Sequence, residues 1–179
     1  MFRRYPAIVV KRFGAVVVAG LVVVGLALAA GQKDTFNLNA SLKARSETPK
    51  PAGVPAAAVG LFTGKAVEQG NDRTSLTWRL TFSKLSGRAT GAHIHLGKPG
   101  KAGNVMVPLC GPCKNGQRGA ASITHAQLKT IRAGGVYVNI HTVKNAAGEI
   151  RGQVKAVQGG STSGTNPPPP PSPEPPPYP

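Results

Sequence analysis

The amino-acid sequence predicts an all-β domain, an antiparallel sandwich or barrel that carries one short helix. Three observations point there: two segments of strict apolar/polar alternation, several further short β-rich segments set apart by Gly-, Pro- and Asn-rich connections, and a single stretch with helix start and stop signals. Period-two alternation sends one row of side chains into a core and the next into water, as in a half-buried strand. Short strands at this spacing suit antiparallel sheet that packs in two layers or closes on itself.

The first strand is "TFNLNASL" (35–42), with Phe36, Leu38, Ala40 and Leu42 on one face. "AAAVGLFTGKAVEQGNDRTSL" is strand-like to about Glu68 and turns at Gly70-Asn71-Asp72. It leads into "SLTWRLTF" (75–82), where Leu76, Trp78, Leu80 and Phe82 alternate with Thr77, Arg79 and Thr81, so the two segments form a hairpin. Further strands are expected at about 90–96, 104–109, 118–123, 136–142 and 149–157. The helix falls after 118–123: Thr124 caps it, Gln127 occupies the capping-box position, Leu128 and Ile131 supply its apolar side, and Gly134-Gly135 ends it.

The two ends of the chain are not part of this domain, which spans about residues 34–158. In residues 1–30, Arg3, Arg4, Lys11 and Arg12 precede the uncharged run "GAVVVAGLVVVGLALAAG", which closes on Ala27-Leu28-Ala29. That order of charged, apolar and small-residue regions is a secretory signal, which engages the translocon and membrane; an uncleaved anchor is the alternative. Both place the domain outside the cytoplasm, secreted or held in the cell envelope. Residues 159–179 pass from a Gly/Ser hinge into "NPPPPPSPEPPPYP". Proline cannot donate to a ladder and favours polyproline II, so this is an extended tail acting as a spacer or as a ligand for a proline-binding groove.

The chain has 22 basic and 6 acidic residues. Without the four basic residues of the leader, 18 against 6 leave about +12, a balance that favours polyanionic partners such as acidic lipid heads, nucleic acid or wall polymers, and that solubility and loose adhesion to anionic envelope polymers or proteins also explain. Specific nucleic-acid binding is not indicated, because the cations are scattered and not interleaved with aromatic residues that could stack on bases. There is no Gly-rich phosphate loop and no evident carboxylate pair for acid–base work.

Half of the four histidines stand one residue apart, in "GAHIHLG" (91–97). On a strand His93 and His95 share a face and Ile94 takes the other. The same alternation in "VYVNIHT" (136–142) groups Tyr137, Asn139 and His141 against Val136, Val138 and Ile140. With the β-branched residues in the core, all three histidines lie on the outer face and converge if their strands are neighbours. Three neutral imidazoles suit copper or zinc. The competing reading is that His93 and His95 hydrogen-bond loop backbone and pin "LGKPGKAGN" against the sheet. Glu149 and Arg151 alternate onto the same face; they would pair with each other, or Glu149 would orient a histidine.

Cys110 and Cys113 form "LCGPC" after a strand. A loop-closing disulfide is the natural reading in an exported chain with two cysteines, metal ligation and redox chemistry being the others. The redox motif works at a helix N-terminus, whereas a polar loop follows here. The disulfide would stiffen a loop covering the histidine face.

"ATGAHIHLGKPGKAGNVMVPL", "GGVYVNIHTVKNAAGEIRGQV" and, upstream, "NASLKARSETPKP" with Glu47 and Pro49 together resemble the chordin-domain (CHRD) family, over nearly all of residues 35–157. The resemblance implies an immunoglobulin-like β-sandwich or barrel and an extracellular binding role. "GAHIHLG" and "YVNIHT" are also similar to the copper strands of copper/zinc superoxide dismutase. That likeness implies copper ligation by His93, His95 and His141, and suggests for Arg151 the part of an anion-guiding arginine, although its spacing from His141 is shorter. The remaining histidine, His125, falls in the helix, so a bridged zinc site is not expected. The function expected is therefore a secreted or envelope-attached binding module with a three-histidine metal site. A copper-dependent oxidoreductase and a metal-free adhesion domain are the alternatives.

Overall fold

The computed structural model describes residues 33–159. The expected export segment and the proline-rich tail beyond Gly159 lie outside the described residues. Within them, no helix is long and apolar enough to cross a membrane.

Nine strands and one helix follow the expected order: β1 (Thr35–Lys43), β2 (Val59–Gly70), β3 (Arg73–Ser83), β4 (Ala89–Leu96), β5 (Val105–Cys110), β6 (Gln117–Thr124), α1 (His125–Arg132), β7 (Val136–Thr142), β8 (Ile150–Gln153) and β9 (Lys155–Gln158). A single 3-10 turn, Ala44–Ser46, was not anticipated. The strands make one antiparallel sheet in the order β5-β4-β7-β8-β1-β2-β3-β6, with β9 also pairing β1. The sheet curls round a single core until its edge strands β5 and β6 approach each other, so the all-β expectation takes its barrel-like form.

The core is built by the alternation that predicted it. Phe36, Leu38, Ala40 and Leu42 of β1 point inward with Phe62, Leu76, Trp78, Leu80 and Ile94. Phe82, at the end of its row, is only half-buried. At about 25 cal/mol per Å² of apolar surface removed from water, inward rows of this kind are the main stabilising term in such a domain. The β2–β3 turn has Asn71 and Asp72 both at positive φ, 50° and 57°, the two-residue geometry that matches the twist of flanking strands. In α1, Thr124 accepts from the Gln127 amide and the Gln127 side chain from the Thr124 amide, while Leu128 and Ile131 are buried.

One strand differs from expectation. Residues 149–157 read as continuous, yet they divide into β8, which pairs β7, and β9, which pairs β1. At the crossing, a Cβ on Gly152 would stand 2.3 Å from the Ser41 carbonyl oxygen, so β1 closes on the sheet only where a side chain is missing. Val154 lies between the two strands and donates to the Val136 carbonyl.

Candidate metal centre

β4 and β7 are paired neighbours, with His93 opposite Asn139, His95 opposite Tyr137 and Gly91 opposite His141. Ile94, Val138 and Ile140 are buried in the core, so the three histidines project together from the opposite face. One ring nitrogen from each of His93, His95 and His141 lies within 4.8 Å of the others. Ring centroids are 5.0 Å apart for His93 and His141, 5.5 Å for His93 and His95, and 6.1 Å for His95 and His141.

Hydrogen bonds decide which nitrogen each ring presents. His95 Nδ1 lies 2.9 Å from the Gly103 carbonyl and His141 Nδ1 lies 2.9 Å from that of Ala146. A carbonyl only accepts, so both rings carry their proton on Nδ1 and keep a lone pair free on Nε2. His95 Nε2 is buried with no hydrogen-bond partner. His141 Nε2 lies 3.1 Å from His93 Nδ1, which therefore donates to it in the neutral, metal-free protein.

One pair of these nitrogens already has the spacing of two ligands on a single ion. Two imidazoles bound to one ion at about 2.0–2.1 Å, with angles between a right angle and tetrahedral, hold their nitrogens roughly 2.9–3.4 Å apart. The 3.1 Å between His93 Nδ1 and His141 Nε2 falls in that range. Burial pushes His93 below its ordinary value, and the neighbouring His141 and His95 add to the effect. His141 is lowered too: burial and His95 outweigh its bond to the Ala146 carbonyl. Neutral rings are the ligating form.

The face outside the core is covered at His95, while His93 and His141 are half-buried. His95 is only 9 % exposed, and Tyr137 and Asn139 beside it are buried. Residues 97–104 form a strap over them. The strap is held by the Gly103–His95 bond, by Arg151 Nη2 donating to the carbonyls of Lys98 and Lys101, and by Gln153 Nε2 donating to those of Gly97 and Gly134. The sequence set a metal site against pinning of this loop by His93 and His95; His95 does pin it and still converges with the other two rings, whereas His93 bonds His141 and not the loop.

Arg151 departs from both roles foreseen for it. It is 1 % exposed, its Cζ lies 3.3 Å from the Tyr137 ring centroid, and Tyr137 stacks on His95 at 5.0 Å with 8° between planes. Both Nη2 bonds go to the strap, so the side chain braces the roof and is not presented to an incoming anion. Nor does it pair with Glu149. The Glu149 carboxylate accepts from the Ser86 amide and hydroxyl, the Thr142 hydroxyl and Asn145 Nδ2. Burial pushes this carboxyl up, but the bonds from Ser86, Thr142 and Asn145 together outweigh it and hold the group below its ordinary value. Glu149 touches no histidine. It knots the 143–149 loop, whose Ala146 carbonyl holds His141, and so works one step further out than a ligand-orienting carboxylate.

Cys110 and Cys113 form a disulfide with an S–S distance of 2.05 Å. Cys110 ends β5, a loop and β6 follow it, and the helix that a redox motif uses is missing at this position. The Cys113 amide donates to Ala89, tying the loop to the start of the histidine strand. The cover over the histidines comes from the 97–104 strap, not from this loop. His125 pairs at 3.9 Å with Asp72, away from the cluster.

A family model, the CHRD domain, matches residues 38–154. The chain belongs to the CHRD family. The match spans both histidine strands and β8, so strap, stack and cluster all lie inside the CHRD domain. No curated protein and no solved structure matches the chain. The supporting residues least visible in the sequence are Tyr137, Gly103 and Ala146. Tyr137 was placed by alternation on the histidine face, but two of the contacts made here are backbone carbonyls, to which residue type gives no clue.

Proposed function

We propose that this CHRD domain is an extracytoplasmic binding module in which His93, His95 and His141 hold one transition-metal ion. The observation that carries the reading is His95: its Nδ1 proton is committed to the Gly103 carbonyl, its buried Nε2 has no partner of its own, and a nitrogen of its ring lies within 4.8 Å of those of two further imidazoles. A buried polar atom left unpaired costs about 1–3 kcal/mol, a penalty that coordination removes. An all-imidazole donor set favours copper over zinc, following the usual order of divalent affinities. A bound copper ion would supply Lewis acidity and one-electron chemistry at this face. His141 and His95 would bind it through Nε2 and His93 through Nδ1, after the His93 proton moves to Nε2 or leaves.

Residues 1–30, read from the sequence as an export signal, and the disulfide support a site of action in the oxidising exterior. We favour metal holding over superoxide turnover, because Arg151, the residue likened to an anion guide, is spent on the strap. Metal analysis after equilibration with copper and with zinc tests the reading. Wild type should retain one equivalent of ion, copper more tightly than zinc, and His95→Ala and His141→Ala should lose it while keeping their β-sheet circular dichroism. Wild type that emerges from dialysis without metal overturns the proposal. A superoxide-decay assay on the copper form separates a binder from a dismutase.

A further inference from the structure

A second exterior surface, formed by β9, β1, β2, β3 and β6, has no part in the metal reading. Register sets Lys155, Asn39, Thr63, Arg79 and Arg118 in one row across these strands, and Asn37, Lys65 and Thr77 in the next. All of these residues are exposed. Between the rows runs an open trough of about 610 Å³, lined by Lys65, Thr77, Arg79 and Arg118 among others. Its floor is backbone at Gly64, Trp78 and Gly119, which are register partners. Trp78 points inward and is 6 % exposed, and a Cβ on Gly119 would stand 2.3 Å from its indole, so nothing rises from the floor to fill the trough.

The charge on this surface is one-sided. Glu47 and Glu149 are buried, while Asp34, Glu68 and Asp72 sit at the start of β1 and the β2–β3 turn end. No carboxylate among the described residues falls in either row, and the only acid–base contact among them is His125–Asp72. Arg79 and Arg118 are direct cross-strand partners. Like charges placed opposite each other weaken a sheet, so this pair costs the fold something that an anion between the two guanidiniums would relieve.

We propose that the trough binds an anionic polysaccharide. Strands about 4.8 Å apart let both arginine forks close on one carboxylate or sulfate. Thr63, Thr77, Asn37 and Asn39 offer hydroxyls and amides to the sugar hydroxyls alongside. The walls stand two residues apart along each strand, about 7 Å, which admits one extended polymer chain but not a lipid layer. No aromatic ring is exposed in these rows to stack on a base, which disfavours single-stranded nucleic acid. The proposal is independent of the metal site.

Titration of the protein with polygalacturonate, uncharged dextran, a poly(dT) oligonucleotide and phosphatidylglycerol vesicles at about 0.15 M salt tests it. Polygalacturonate should bind best and dextran not at all. The double variant Arg79→Gln/Arg118→Gln should lose about tenfold or more in affinity for polygalacturonate, whereas Lys50→Gln/Lys129→Gln, which removes the same charge outside the trough, should lose less than about threefold. Equal losses in the two variants would mean that net charge alone is at work, and would overturn the proposal. So would tighter binding of the oligonucleotide or the vesicles. Should the arginine variant fail to fold, amide chemical shifts of wild type decide: perturbation centred on residues 63–65, 77–79 and 118–120 supports the trough, and perturbation centred elsewhere refutes it.

Discussion

His95 shows how much one side chain of this protein is asked to do. One nitrogen anchors the strap at Gly103, the other is buried without a partner, and the ring, grouped with His93 and His141, is backed by Tyr137 and then by Arg151. The same burial that braces the cluster governs its response to acid. His93 and His141 both titrate below the ordinary value of 6.5, first because they are buried. As pH falls through 6.5, the unfolded chain takes up protons that the folded rings refuse, so folding stability should decline until the folded rings protonate in turn. Urea midpoints of the metal-free protein should therefore drop between about pH 7.5 and pH 5.5, and drop less in His93→Gln/His141→Gln; an unchanged slope in that variant would assign the acid sensitivity to other groups. Which face the histidines take was legible in the sequence, because Ile94 and Ile140 are unambiguous core residues. The loop that covers that face was legible too, as the alternative in which a histidine pins "LGKPGKAGN" to the sheet, but the bonds that hold it were not. The roof is held largely by the carbonyls of Gly97, Lys98, Lys101 and Gly103, and every residue has a carbonyl.

Among the elements, β8 and β9 teach most. Their residues alternate without interruption, and alternation records which face is buried but not which neighbour is paired. The division is imposed from outside, by β1 arriving at Gly152. Gly152→Ala places a methyl group 2.3 Å from the Ser41 carbonyl, where backbone rather than a flexible side chain must yield. That substitution should cost about 2–4 kcal/mol in a urea denaturation, whereas Gly70→Ala, where nothing stands within 4 Å, should suffer only from its positive φ. If the two variants prove equally stable, the close approach at Gly152 is not what limits the crossing. The start of the helix was legible to the residue because it is local chemistry: Thr124 and Gln127 satisfy each other's amides.

For the molecule as a whole, the sheet supplies both rigidity and the candidate ligands, and the loops supply their cover. A ligand that binds only the folded state stabilises it by RT ln(1 + [L]/Kd), about 2.7 kcal/mol at a hundredfold excess over Kd. Copper at that excess should raise the melting temperature by on the order of 10 °C in wild type and leave His93→Ala/His95→Ala/His141→Ala unmoved; a matching rise in the variant would place the ion elsewhere. The single core could be read in advance from β1 and β3, whereas the closure of one sheet on itself could not, since it depends on which edges meet. The pairing of β9 with β1 also has a mechanical meaning. The Gly159 amide donates to the Thr35 carbonyl, so the start of β1 and the residue just after β9 are bonded neighbours across an antiparallel pair. A pull exerted between these two points would peel the β1–β9 ladder open one bond at a time instead of shearing it all at once, so tension between the two ends would meet the domain along its weakest direction.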